Sequence, residues 1–566
     1  MNAPRRRFVL LPLLALLLPL GVQGKTTVTG MISQADGTPL PLAHVHLYPL
    51  SGGIGMTPLR TVEVAKNGSY RLEIDEPGYY RVVVTGVNHN YISVPVFATD
   101  DDASLKLDIN PAPLHYNTNP EELQIIGDWN DFKFDQAEPM KREKDGTYTY
   151  TIETTGKSVS YQIMGLTDGG GRSVNAPGSD SYVYDGGGDY RSIMKVKPGK
   201  VTIRFNPKNL PSTDLGYEPS VQFTDPIHTQ LWEIEDIFNR TEEEFRSAVM
   251  TARANGTQIE PAEIWEPVFQ IGHQFMSEEH PESVQKFAAL NVARTLNYVG
   301  SPEQLKFSEE MIEDMQELLP PDEGLWAAAP SLPSRLLTMG NDKEQKDVLE
   351  ELAEENPDRV VRAMSLSFLV AMENDEGNKE EAREYYEELK EEYSDLQEAS
   401  YVLTVYDPDR RIQVGNEVPD FEVVLMASGP GGSTVQNVSR ESMKGRYYLI
   451  DFWATWCGPC VGEMPSLHTA YEKFHGENFE VLSLSFDASP DKVDQFREAK
   501  WKMPWLHSFV SGGFGSDLAK NFEVMGIPKP ILVGPNGTIV ATEGDLRGAN
   551  LEKTLERFLG DGQASR

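Results

Sequence analysis

Two cysteines occur in 566 residues, and both lie in the run Trp456, Cys457, Gly458, Pro459, Cys460. Its flanks restrict what this part of the chain can fold into. Upstream, Tyr447, Tyr448, Leu449, Ile450, Asp451, Phe452 and Trp453 form a near-continuous apolar run, the pattern of a strand covered on both faces of a parallel sheet, with Asp451 as the misfit. Downstream, Leu467, Ala470, Tyr471 and Phe474 recur at helical spacing. The motif therefore sits at a strand-to-helix junction. There the free N–H groups of the first turn and the helix dipole favour a thiolate at Cys457, with Cys460 one turn further in as its resolving partner. A Cys-x-x-Cys pair also serves as half of a metal site, but zinc needs two further ligands. The chain has no second cysteine pair, and His468 and His475 are placed on the polar side of the helix. The expectation is a redox pair, with no metal and no cofactor beyond the Cys457–Cys460 disulfide itself.

The residues from Asp451 to Cys460, followed by Glu463, Met464 and Pro465, resemble the thioredoxin superfamily, in particular its extracytoplasmic TlpA/ResA-type branch of thiol-disulfide oxidoreductases. The resemblance covers the chain from about residue 412 to the end and implies a C-terminal α/β thioredoxin fold. It also implies roles. Pro528, in Gly526-Ile527-Pro528, takes the place of the cis-proline lying against the cysteine pair, and Ile527 offers backbone groups to an extended substrate segment. Trp456, Gly458 and Pro459 face the substrate. Asp451 matches the buried aspartate of thioredoxin and Glu463 the active-site glutamate of the branch. Burial is expected to raise both carboxyls towards neutrality, so that either can take the Cys460 proton. Where relatives carry a variable residue, Thr and an aromatic after the proline, this chain has Lys529, Pro530 and Ile531. Pro530 lacks a backbone donor, which is expected to alter the substrate-facing edge. The Gly458-Pro459 dipeptide is that of thioredoxin rather than of strong oxidants, implying a reductant. The implied partners are a disulfide-containing protein, with apocytochrome c thiol reduction as a family-level role, and a membrane thiol donor that recharges the pair.

Element order supports the same fold for 411–566. Residues 414–421 resemble the lead-in of TlpA-type domains, with residues 429–432 as a hairpin tip. A strand follows at 479–486, then helices at 489–500 and 517–522, two closing strands around Pro535-Asn536-Gly537, and a helix at 550–559.

The rest of the chain is expected to form three further domains behind a leader. Residues 1–24 read as a secretory signal, with Arg5, Arg6 and Arg7 before a short apolar stretch interrupted by Pro12 and Pro19; an uncleaved membrane anchor is the alternative. Residues 25–114, with alternating Tyr70, Leu72 and Ile74, read as a β-sandwich similar to carboxypeptidase-regulatory-like domains. His44 and His46 share one strand face there at period two, so a metal pair is geometrically possible, with no third ligand in view. Residues 115–225 resemble the early-set sandwich of family-48 carbohydrate-binding modules. Trp129 is either a glycan-stacking platform or a core anchor, and the Gly-rich runs 168–171 and 185–188 read as loop tips. Residues 226–410 change to helical periodicity, with Thr241 and Glu244 as a capping box before a helix carrying Phe245, Val249 and Ala252. The acidic run 380–392 reads as a solvated helix face.

Lys and Arg total 51 against 87 Asp and Glu, a net charge of -36, which disfavours nucleic acid and anionic membrane surfaces as partners. The sequence thus reads as an exported, periplasmic or extracytoplasmic thiol-disulfide exchange protein. The alternative is a surface glycan- or protein-binding scaffold with an auxiliary redox domain.

Overall fold

The computed structural model describes residues 25–560, except 41, 100, 102, 118, 168–171, 178, 211–216, 218, 341–343, 427–435 and 477. The expected leader at 1–24, the loop at 168–171 and the hairpin tip at 429–432 lie outside the described residues. The chain divides between Ser365 and Leu366 into two compact units. The helical segment expected at 226–410 is therefore shared between them.

In the first unit, two four-stranded sheets enclose one apolar core. One orders its strands Ser220–Phe223, Ala103–Asn110, Thr26–Met31, Ser69–Ile74; the other orders Arg60–Glu63, His44–Pro49, Gly78–Thr85, Ile92–Ala98. Val28, Leu72 and Leu107 of the first sheet meet Val45, Val82 and Val94 of the second. Ser220–Phe223, within the 115–225 segment expected to form the second sandwich, instead pairs with Ala103–Asn110 of the first. A three-stranded and a five-stranded sheet follow, sharing a core that includes Ile125, Tyr148, Val159, Ile163 and Ile203. Trp129 packs on that core, its indole stacked on Tyr150 and its N–H donating to Glu138 at 3.2 Å, which is the anchor arrangement. His46 directs Nδ1 at the Thr61 hydroxyl and Nε2 at that of Thr85, and His44 Nδ1 faces the Tyr190 hydroxyl. Among the described residues, no group of three or more His, Cys, Asp or Glu side chains is placed to hold a metal.

The capping box expected at Thr241 does not begin a helix. A single helix spans Pro226–Asn255, started by Asp225, whose carboxylate accepts the His228 N–H, with proline at its first turn. Thr241 is buried inside it. The Asp-Pro pair was the stronger start signal, because a Thr-x-x-Glu spacing also arises by chance within a helix. Glu235 of this helix is buried between Arg81 at 2.9 Å and Arg294 at 3.2 Å. Among the described residues, no helix is long and apolar enough to cross a membrane.

The second unit holds a helical hairpin, Lys379–Tyr393 and Gln397–Val405, and a mixed five-stranded sheet. In the hairpin, Ala382, Tyr386 and Leu389 are buried, as are Ala399 and Val402, and the Tyr386 hydroxyl donates to the Leu403 carbonyl. The sheet order is Leu506–Phe509, Phe479–Ser485, Tyr447–Trp453, Lys529–Val533, Ile539–Ala541. The first three strands are parallel and the last two run antiparallel. Tyr447–Trp453 is the central strand, buried throughout except at its first residue, as its apolar run requires. The helix Gly458–Phe474 leaves its C-terminal end, and Ala549–Leu559 packs on that helix. The edge strand Leu506–Phe509 was not expected. His468 does not lie on a polar face, since the rings of Trp501 and Trp505 cover it at centroid distances of 5.2 and 4.9 Å. Aromatics from the loop after residue 499 close over what helical spacing alone marks as the outside. Glu422–Val424 and Asn437–Ser439 pair as the expected added hairpin.

Candidate active site

Cys457 and Cys460 are joined as a disulfide at the N-terminus of Gly458–Phe474. Cys457 caps the helix, its Sγ accepting the Cys460 backbone N–H at 3.2 Å, and Pro459 occupies the first turn, where its missing N–H costs nothing. A sulfur here meets helix N–H donors and the positive end of the dipole, the setting that lowers a thiol pKa once the bond is reduced. Trp456 stands 59% exposed beside the pair. Among the described residues, no atom beyond the chain neighbours and the backbone of its own helix lies within 4 Å of where a side chain on Gly458 would begin, so the motif is open on that side. The Ile527–Pro528 peptide is cis, and the Ile527 carbonyl oxygen lies 3.7 Å from Cys457 Sγ.

Asp451 stands behind the pair, with 7% of its surface exposed. Ser483 faces it from the parallel neighbour and Pro530 from the antiparallel one. The Ser483 hydroxyl donates to Asp451 Oδ2 at 3.2 Å and is itself held by the Trp505 indole N–H at 2.8 Å. Burial pushes the Asp451 carboxyl from 3.8 up to about 7; the Ser483 hydrogen bond opposes this and the Glu463 charge adds to it. A cavity of about 20 Å³, the size one water fills, lies among Asp451, Cys460, Glu463, Met464, Pro528 and Pro530.

Two expectations are corrected. Glu463 is not a second buried acid: its side chain is a quarter exposed and accepts from Arg547 Nε at 2.7 Å. The terminal segment that delivers Arg547 could not be registered against the helix from spacing alone. Pro530 does not shape the substrate-facing edge; it is buried and lines the inner cavity. Side chains alternate along a strand, so residues 528 and 530 share the inner face.

Sequence reasoning missed Ser483, Trp505, Arg547 and Asp487, and singled out Lys529 only as a departure from the family pattern. Lys529 is buried, paired to Glu543 at 2.9 Å and donating to the Glu523 carbonyl at 3.1 Å, which ties down the strand after the cis peptide. Buried Asp487 accepts the Thr455 N–H at 3.0 Å and the Thr455 hydroxyl at 2.5 Å, and so fixes the turn that aims Cys457. The available signal was an acid just past the end of an apolar parallel strand, where sheet proteins place functional groups. Because small displacements of a reacting group cost up to about 10²-fold, Asp487→Ala is expected to lower the rate of disulfide exchange by about ten- to a hundredfold. Asp487→Asn, whose amide oxygen can still accept the Thr455 N–H while its NH2 donates to the Thr455 hydroxyl oxygen, should recover most of that rate; equal losses in both variants would show that the hydrogen bonds are not what matters.

A family profile described as thioredoxin-like matches residues 445–539. The thiol-disulfide oxidoreductase ResA of Oceanobacillus iheyensis is 30% identical over 161 residues, which is 28% of this chain and 78% of that protein. Tryparedoxin of Trypanosoma brucei brucei is 35% identical over 125 residues, 21% of this chain and 85% of its own. Among solved structures, the thioredoxin domain of a thiol-disulfide oxidoreductase from Bacteroides vulgatus is 30% identical, with 26% of this chain and 98% of that one covered and a TM-score of 0.23. With the cysteine pair at the N-terminus of a helix that follows a central strand carrying a buried aspartate, the chain belongs through its C-terminal domain to the ResA-type family of thioredoxin-like thiol-disulfide oxidoreductases.

Proposed function

We propose that this enzyme works outside the cytoplasm as a reductant of disulfides in partner proteins. The observation that carries the reading is the asymmetry of the pair: Cys457 at the helix cap beside the cis-proline loop, Cys460 turned to the cavity that Asp451 lines. In the reduced enzyme, the Cys457 thiolate attacks one sulfur of a partner disulfide. The partner's bond breaks, a mixed disulfide forms, and the displaced partner sulfur takes a proton. The Asp451 carboxylate, directly or through one water in the cavity, removes the Cys460 proton. Cys460 then attacks Cys457 Sγ, and the partner leaves with two electrons gained. The enzyme is left with the disulfide described above, and a dithiol donor must return two electrons to it. The leader-like residues 1–24 support an exported location, and apocytochrome c thiols fall within the proposed substrate class.

Titration against glutathione tests the direction of electron flow. A potential near that of thioredoxin, about -270 mV, is expected from the Gly-Pro dipeptide. A value close to about -120 mV, that of the strongest oxidants, would instead mean net oxidation of partners.

A further inference from the structure

The Ser483 hydroxyl that reaches Asp451 has two partners, and they are not equivalent. An indole N–H only donates and an ionised carboxylate only accepts, whereas a hydroxyl has one proton to give. The Trp505 N–H, 2.8 Å from Ser483 Oγ, therefore takes up the accepting side of that oxygen and turns its one proton to Asp451 Oδ2, 3.2 Å away. Neither link is free to swing. Ser483 is fully buried and Trp505 is 4% exposed. The indole is packed among His468, Tyr471 and His507 at ring-centroid distances of 4.9, 5.3 and 5.9 Å, and such packing holds a donor in one direction. Strand register supplies the alignment: Asp451, Ser483 and His507 lie opposite one another on the three parallel strands, and Trp505 immediately precedes the last of them. Among the described residues, no donor faces the other carboxyl oxygen, Asp451 Oδ1.

We infer that Trp505 is a positioning residue of the release step: acting through Ser483, it commits a hydrogen bond to Asp451 Oδ2 that favours the carboxylate, and it leaves Oδ1 to take the Cys460 proton. The assignment rests on the reading of Asp451 as the base for Cys460 and adds what sets the pH range of that base. Without the indole, Ser483 is free to turn and accept from protonated Asp451, which favours the neutral acid. The titratable groups that face Asp451 are Cys460 and Glu463, both from the helix Gly458–Phe474, with Arg547 paired to Glu463; Pro530, from the antiparallel strand, does not titrate. Around Trp505, burial and then the Arg497 charge hold His507 down at about 3, burial lowers His468, and burial raises Tyr471 to about 12. These rings stay neutral as Asp451 ionises near 7, so the indole is not itself switched by pH.

Single-turnover oxidation of the pre-reduced full chain by oxidised glutathione tests this, at concentrations where the rate no longer depends on glutathione and release is limiting. Samples quenched in acid and weighed by mass spectrometry give the rate at which the Cys457–glutathione mixed disulfide converts to the Cys457–Cys460 disulfide, read from about pH 5 to about pH 9. In the native enzyme that rate should rise with a midpoint near 7. Ser483→Ala should move the midpoint up by about one pH unit and slow release about tenfold on its acid side, the order expected for losing a hydrogen bond to a charged group. Trp505→Phe keeps an aromatic ring, removes the N–H and should move the midpoint in the same direction. In the double variant the midpoint should move no further than in Ser483→Ala, because the indole acts only through the hydroxyl. An unmoved midpoint in Ser483→Ala or in Trp505→Phe overturns the assignment whatever happens to the overall rate, as do shifts that add in the double variant. A native enzyme with no midpoint near 7 overturns the reading of Asp451 as the base, and the role of Trp505 with it. A reduced chain that does not react with oxidised glutathione overturns the oxidoreductase reading itself.

Discussion

Cys460→Ser is expected to hold partner proteins as covalent adducts released by dithiothreitol, while Cys457→Ser forms none. The difference follows from where the two sulfurs sit. Cys457 caps the helix at the open end of the motif, where N–H donors favour the attacking thiolate, so its removal stops the first step. Cys460 is bonded to Cys457 in the oxidised enzyme, and its attack on the mixed disulfide is therefore intramolecular. Effective molarities of such attacks reach about 10⁵–10⁸ M, so millimolar external thiols replace Cys460 poorly and turnover should drop by at least about 10³-fold. Electrophoresis without reductant, followed by mass spectrometry of the adducts, reads both variants. Equal adducts in the two variants, or none with reduced Cys460→Ser, would be incompatible with the proposed order of attack.

How much of this site the sequence made legible depended on the range over which each residue acts. Strand, motif and helix are local. The buried run Tyr447–Trp453 and the apolar stripe on Gly458–Phe474 placed Cys457, Cys460 and Asp451 because each sits at a fixed offset within one element. The groups that tune them come from elsewhere in the chain. Ser483 reaches Asp451 through strand register, Arg547 reaches Glu463 across 84 positions, and Asp487 reaches Thr455 across 32. Periodicity carries no information on such pairings. The strand Leu506–Phe509 was missed for a related reason. It has four residues, among them His507 and Ser508, and only its place beside Phe479–Ser485 makes it a strand. The division after Ser365 is likewise decided by tertiary packing, since helical periodicity runs on both sides of it.

Asp451→Asn should show two opposed effects, slower release of the partner and a more stable fold at alkaline pH. In the enzyme as it stands, ionisation of Asp451 near pH 7 supplies the base for Cys460, so the release rate should rise with pH through about 7. Asparagine cannot accept that proton; the inflection should vanish and the rate should fall by about 10² or more. Retention of both would assign the base to another group, with Glu463→Gln the next variant to examine. The effect on stability follows from the same carboxyl. Below about pH 4 it is protonated in both the folded and unfolded chains and burial carries no charge penalty. Between there and about pH 7 the unfolded chain releases the proton while the folded chain keeps it, so stability falls as pH rises. Above about 7 both are ionised and the full cost remains; the distance from 3.8 to about 7 corresponds to on the order of 4 kcal/mol. Asparagine is spared that cost. Thermal unfolding of the oxidised full chains should therefore show little difference between variant and native enzyme near pH 4, a growing advantage for the variant up to pH 7, and a constant one beyond. A variant less stable than the native enzyme at pH 8 would mean that the Ser483 hydrogen bond to the carboxylate outweighs its burial. The acid would then be held by its partner rather than strained for the reaction.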